Sequence, residues 1–208
     1  AKRPPHIWFE DLSDMVFTPG GIMRKLALAL LYTATAALAN PALADVAAAD
    51  GLRDGDMKKL SFHSAPKPAG QTAFATFEGE PLSLSDWNGK WVLVNFWATW
   101  CAPCRKEMPA LSALQDELGG DRFEVVTIAT GRNPPPAMTE FFAEIGVDNL
   151  PLHRDPGSKL SREMAVLGLP VTVILNPEGQ EVARLMGDAE WDSENARAVL
   201  SALIGGEG

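Results

Sequence analysis

The segment Trp91-Val92-Leu93-Val94-Asn95-Phe96-Trp97 is an almost unbroken apolar run, and Cys101-Ala102-Pro103-Cys104 follows close behind it. A run with so little polar alternation is expected of a central strand buried on both faces. From Ala102 to Leu118, Met108, Leu111 and Leu114 recur at helical spacing. Pro109 inside this stretch should kink the helix, and Gly119-Gly120 should end it. The chain therefore has to pass from a buried strand into a helix whose first turn holds both cysteines.

Further signals follow on either side. Ala73–Phe77 reads as a short strand, Glu78-Gly79-Glu80-Pro81 as a turn, Leu82–Leu84 as extended and Ser85–Gly89 as a helical turn. Phe123–Ala129 is a second buried strand, followed by the stiff loop Asn133-Pro134-Pro135-Pro136. Ala137–Ile145 and Ser158–Leu167 read as helices stopped by Gly146 and Gly168. Val171–Leu175 and Glu181–Met186 form a hairpin across Asn176-Pro177-Glu178-Gly179, and Ser193 caps a last helix to about Leu203. Crossover helices combined with a terminal hairpin imply an α/β fold: a central mixed sheet with helices on both faces.

The two cysteines have a physical reason to sit where they do. A helix N-terminus presents unpaired N–H groups and the positive end of the macrodipole, which favour a thiolate at Cys101. Thiolate is the attacking species, so Cys101 is the candidate nucleophile. Cys104, one turn later, can resolve a mixed disulfide. Pro103 suits a first turn, where a missing N–H costs little, and Trp100 would shape the rim of the site. A structural zinc site needs four ligands, and beyond residue 45 the chain offers only His63 and His153 and no second cysteine pair. A purely structural bridge would constrain too short a loop to stabilise much. No metal or other cofactor is expected beyond the redox-active disulfide Cys101–Cys104.

Composition sets the frame. The chain has 208 residues, 46% hydrophobic and 22% charged, with a net charge of −9. That suits one globular domain with some extra length, and an acidic surface excludes nucleic acid as a natural partner. Met23-Arg24-Lys25, the apolar stretch Leu26–Ala39 and Ala42-Leu43-Ala44 make a three-part secretory signal over residues 23–44. Residues 1–22 precede it and read as upstream or added sequence. Residues 45–70 read as a loosely ordered leader, and residues 71–205 as the folded domain. The expected location is the periplasm, with an uncleaved N-terminal anchor as the alternative.

The string Val94-Asn95-Phe96-Trp97-Ala98-Thr99-Trp100-Cys101-Ala102-Pro103-Cys104-Arg105-Lys106-Glu107-Met108-Pro109 resembles the thioredoxin superfamily. More narrowly, it resembles the exported TlpA-like reductases, which include the cytochrome c maturation thioredoxins. Gly168-Leu169-Pro170-Val171-Thr172 extends the resemblance. It implies a thioredoxin fold with an N-terminal β extension, Pro170 as a cis-proline facing the cysteines, and Leu169 as an edge that pairs with an extended substrate. Family members with a buried acid carry Asp where this chain has Asn95, so that proton route is absent. Glu107 is the substitute: buried, it would accept the Cys104 proton; exposed, it would be an ordinary helix carboxylate. Trp191 resembles a TlpA feature, with packing of the last helix as its default role; His153 is read as a surface or capping residue, or as lining the cleft. Arg105 and Lys106 are read as a solvated face or as steering groups for acidic partners.

The resemblance also implies a reductase acting as a monomer on disulfide-containing exported proteins, recharged by a membrane thiol carrier. The Ala-Pro spacer favours reduction over the reverse, oxidase direction. Because Leu169 and Val171 flank Pro170 in place of a Gly-rich run ending in Pro-Glu, a general role is as well supported as a dedicated cytochrome c role. The alternative from another class is a Cu(I) metallochaperone using the same thiolates. A peroxide-reducing enzyme would need a Pro-x-x-x-Thr-x-x-Cys pattern that the sequence lacks.

Overall fold

The structure, a computed structural model, describes residues 41–205. The expected signal segment and the residues before it lie outside this range, except for the backbone of Pro41–Ala44, which opens the first helix. In chain order the elements are α1 (Pro41–Gly51), a 3-10 turn (Gly55–Lys59), β1 (Ser61–Pro68), β2 (Phe74–Ala75), β3 (Pro81–Leu82) and a 3-10 turn (Leu84–Trp87). Then come β4 (Trp91–Trp97), α2 (Ala102–Leu118), β5 (Phe123–Thr130), α3 (Pro135–Ile145), β6 (His153–Asp155) and α4 (Lys159–Glu163). The chain ends with β7 (Val171–Leu175), β8 (Gln180–Met186) and α5 (Glu194–Gly205).

The strands form one mixed sheet in the order β1-β8-β7-β4-β5-β6-β2-β3. β4 lies at its centre, parallel to β5 and antiparallel to β7, and all seven of its residues are buried. Strand side chains alternate between faces, so Leu93 and Trp97 join the core under α1, α2, α3 and α5, while Val92, Val94 and Phe96 face Leu160 and Met164 around α4. The expected mixed sheet with helices on both faces is present. Helix α2 runs on through Pro109 without interruption. Helix α3 stops at Gly146, whose φ of 69° is left-handed, a conformation glycine adopts without a Cβ penalty.

The leader departs from the sequence reading. Residues 45–70 are built into the domain: α1 packs on α5, Met57 and Leu60 are fully buried, and β1 adds an antiparallel edge to β8. Their partners lie more than a hundred residues away in sequence, so no local pattern announces them. The helix expected over 158–167 is also shorter. It ends at Glu163, because Ala165 takes a left-handed φ of 53° and turns the chain toward Val166. A Cβ at such a φ is strained, so Ala165→Gly is expected to raise stability by about 0.5–1 kcal/mol. Urea unfolding at unchanged m-value checks this; a lower midpoint would contradict it.

Candidate active site

Cys101 is the N-cap residue of α2, and its Sγ accepts a hydrogen bond from the Cys104 backbone N–H at 3.2 Å. The Cys101 carbonyl accepts from the Arg105 N–H, continuing the first turn. Cys101 and Cys104 are joined as a disulfide, with Cα atoms 5.3 Å apart. Cys104 is completely buried, whereas Cys101 keeps 5% of its surface open. A partner sulfur therefore reaches Cys101 first. Pro103 is exposed in the first turn of α2, and Trp100, just before the pair, is 69% exposed.

Behind the disulfide lies a buried polar cluster. Asn95 faces the α2 side of the sheet, and the β4–β7 register sets it directly opposite Thr172. Asn95 Nδ2 donates to Thr172 Oγ1 at 2.9 Å and to Glu107 Oε1 at 2.8 Å. Glu107 Oε2 accepts from Trp191 Nε1 at 3.1 Å and from the Ala189 N–H at 3.2 Å. Glu107 is only 2% exposed. Desolvation pushes its carboxyl up to about 7, against the pull of the donors from Asn95, Trp191 and Ala189. Cys104 and Glu107 are three residues apart and share a face of α2. Glu107 is thus buried, not an exposed helix carboxylate. Trp191, whose default role is packing of the last helix, also donates to this carboxylate.

The loop before Cys101 has its own clamp. Asn133 Oδ1 accepts from both the backbone N–H and the hydroxyl of Thr99, and Asn133 Nδ2 donates to the Thr130 carbonyl. Thr130 Oγ1 in turn donates to Asp155 Oδ2 and lies 2.7 Å from Ser161 Oγ. Sequence reasoning passed over Asn133, because a polar residue ahead of a proline run signals only a loop.

The bond between Leu169 and Pro170 is cis. Val171 pairs with Phe96 at the end of β4 that leads to Cys101, so Pro170 sits at the same end of the sheet as the disulfide. Trp100 and Leu169 line one cleft of about 340 Å³; Cys101, Cys104, Pro103 and Pro170 do not line it. His153 is neither a cap nor part of that cleft. It sits on β6, half-buried edge-on against Phe74 and Trp87, and burial lowers its pKa. Arg105 and Lys106 are not free to steer partners: they pair with Glu144 at 2.7 Å and Asp188 at 3.0 Å. A larger cleft of about 580 Å³ surrounds His63, Glu181 and Arg184, but Glu181 accepts contacts from both His63 Nε2 and Arg184. Among the described residues, no cluster of His, Cys, Asp and Glu could hold a metal ion.

Comparison with known proteins follows the same lines. The model of the AhpC/TSA family matches residues 63–183. The chain is 35% identical over 109 residues to the thiol-disulfide oxidoreductase ResA of Bacillus subtilis, covering 52% of this chain and 60% of that protein. It is 37% identical over 105 residues to the thiol:disulfide interchange protein HelX of Rhodobacter capsulatus, covering 50% and 57%. The chain thus spans about 60% of the length of these curated relatives. Among solved structures, a thioredoxin family thiol:disulfide interchange protein from Chlorobium tepidum superposes with a TM-score of 0.55 at 27% identity, over 68% of this chain and 99% of that one. The exposed lipoprotein thioredoxin Etrx1 of Streptococcus pneumoniae gives 0.52 at 26% identity, over 67% and 98%. A thioredoxin-fold sheet, a cysteine pair at the mouth of α2 and a family match across most of the domain lead to one assignment: this chain belongs to the AhpC/TSA family.

Proposed function

We propose that the chain is an exported thiol–disulfide oxidoreductase that reduces disulfides in partner proteins, with Cys101 as nucleophile, Cys104 as resolving thiol and Glu107 as proton acceptor. The observation that carries the reading is the Cys101 sulfur capping α2, with an ionisable carboxyl buried one turn behind Cys104.

In the reduced protein the Cys101 thiolate attacks one sulfur of the partner's disulfide. The partner's S–S bond breaks, its other sulfur leaves as a thiolate, and a mixed disulfide forms on Cys101. Cys104 then passes its proton to Glu107 and attacks the Cys101 sulfur. The mixed disulfide breaks, the partner leaves as two thiolates that take one proton back from Glu107 and one from water, and the Cys101–Cys104 bridge remains. Two electrons have moved to the partner. A carboxyl near 7 is matched to this transfer, since it can hold or release a proton at neutral pH. Trp100 and Leu169 would seat the partner's chain beside the sulfur. Recharging by a membrane thiol carrier, the monomeric state, and service to apocytochrome c or copper-oxidase assembly follow from the family resemblance. So does export, which the likeness to Etrx1, an exposed lipoprotein thioredoxin, supports.

The test is insulin-disulfide reduction by the pre-reduced protein, with Cu(I) titration alongside. The reading expects catalytic insulin reduction. Tight copper binding without turnover would replace it with a metallochaperone.

A further inference from the structure

We propose that the partner segment entering this site is an acidic polypeptide: Arg162 pairs with one of its carboxylates, and an apolar side chain beside its cysteine seats against Trp100 and Leu167. The inference rests on the oxidoreductase reading and specifies the substrate class of the same site.

Four large hydrophobic side chains are exposed among the described residues, and two of them, Trp100 at 69% and Leu167 at 97%, line one cleft, in which Trp100 is the residue immediately before Cys101. Exposed apolar side chains converging on one cleft next to a reactive group mark a contact surface. Arg162 lines the same cleft and is exposed. Among the described residues its guanidinium has no ion pair, although eight other Lys and Arg residues do.

The neighbouring acids are already occupied. Asp155 is buried, with its oxygens taken by Thr130 Oγ1, the Ser161 N–H and the Lys159 N–H. Glu163 is held by the backbone N–H groups of Gln71 and Thr72. Arg132 and Lys159 adjoin the lining residues Gly131 and Ser158, are exposed, and make no ion pair among the described residues. Arg162, Arg132 and Lys159 thus leave three cations at the cleft without an ion pair among the described residues, beside the buried Asp155 and the N–H-bound Glu163, on a chain whose net charge is −9. A ligand that brings its own carboxylates would complement these unpaired cations.

Two synthetic peptides test this, each closed by one intramolecular disulfide and differing only in Asp or Lys beside the cysteines. Rates of reduction by the pre-reduced full chain are measured at low and high salt. The acidic peptide is expected to react about three- to tenfold faster at low ionic strength, with the preference shrinking as salt rises. The overall negative charge works against this order, so the preference reports the cations at the cleft. Arg162→Gln should remove most of it and Arg162→Glu should reverse it; the side chain has no partner to lose, so both variants fold. Equal rates for the two peptides, or an unchanged preference in Arg162→Glu, overturn the inference while leaving the oxidoreductase reading intact. Failure to reduce either peptide overturns that reading itself.

Discussion

Cys101→Ser is expected to lower disulfide reduction by at least about 10³-fold, because the thiol that remains, Cys104, is completely buried. Cys104→Ser should fail differently. Its Cys101 is still the N-cap of α2, still receives the backbone N–H at its sulfur, and still carries the small opening that Cys104 lacks. The first attack therefore proceeds and the second does not, so partner proteins accumulate as mixed disulfides on non-reducing gels. If Cys101→Ser trapped partners and Cys104→Ser did not, the roles would be exchanged.

Glu107→Gln should slow resolution by about 10²-fold near neutral pH, the usual contribution of a positioned proton acceptor. It should also change how stability depends on pH. Burial raises the Glu107 carboxyl from 4.5 to about 7, so between those values the folded chain binds a proton that the unfolded chain does not. The sign follows directly: this contribution is fully present below pH 4.5 and is lost as pH rises through 7. Its size is on the order of 3 kcal/mol. Denaturant unfolding across this range should therefore show wild type weakening with rising pH and Glu107→Gln following a flatter curve. The amide also meets a mismatch, since only one of its terminal atoms accepts, whereas Glu107 receives donors at both oxygens. A rate and a stability profile that both match wild type would return Glu107 to a structural role.

Much of this architecture was legible in the residues. The apolar run of β4, the spacing of Met108, Leu111 and Leu114, and the hairpin around Asn176–Gly179 each carry a local signal strong enough to survive folding. What was not legible is tertiary. β1 reads as leader because Pro66 and Pro68 interrupt it, which only an edge strand tolerates; its partner β8 lies far along the chain. β6 is three polar residues long and has no period to detect. In the site, the cysteines and Pro170 announce themselves through motif and position. Asn95, Thr172 and Trp191 meet Glu107 only because the β4–β7 register and the turn after β8 bring them there. Arg105 and Lys106 have the right charge to steer a partner, but Glu144 and Asp188 pair with them, whereas Arg162 lines the cleft without an ion pair among the described residues.

The pH dependence of Cys101 alkylation in the reduced protein probes the chemistry at its root. A sulfur anion stabilised by the first turn of α2 should react with a midpoint at least about one unit below the roughly 8.5 of free cysteine. A midpoint at or above that value would mean the helix does not hold the thiolate, and the proposed sequence of attacks would lose its first step.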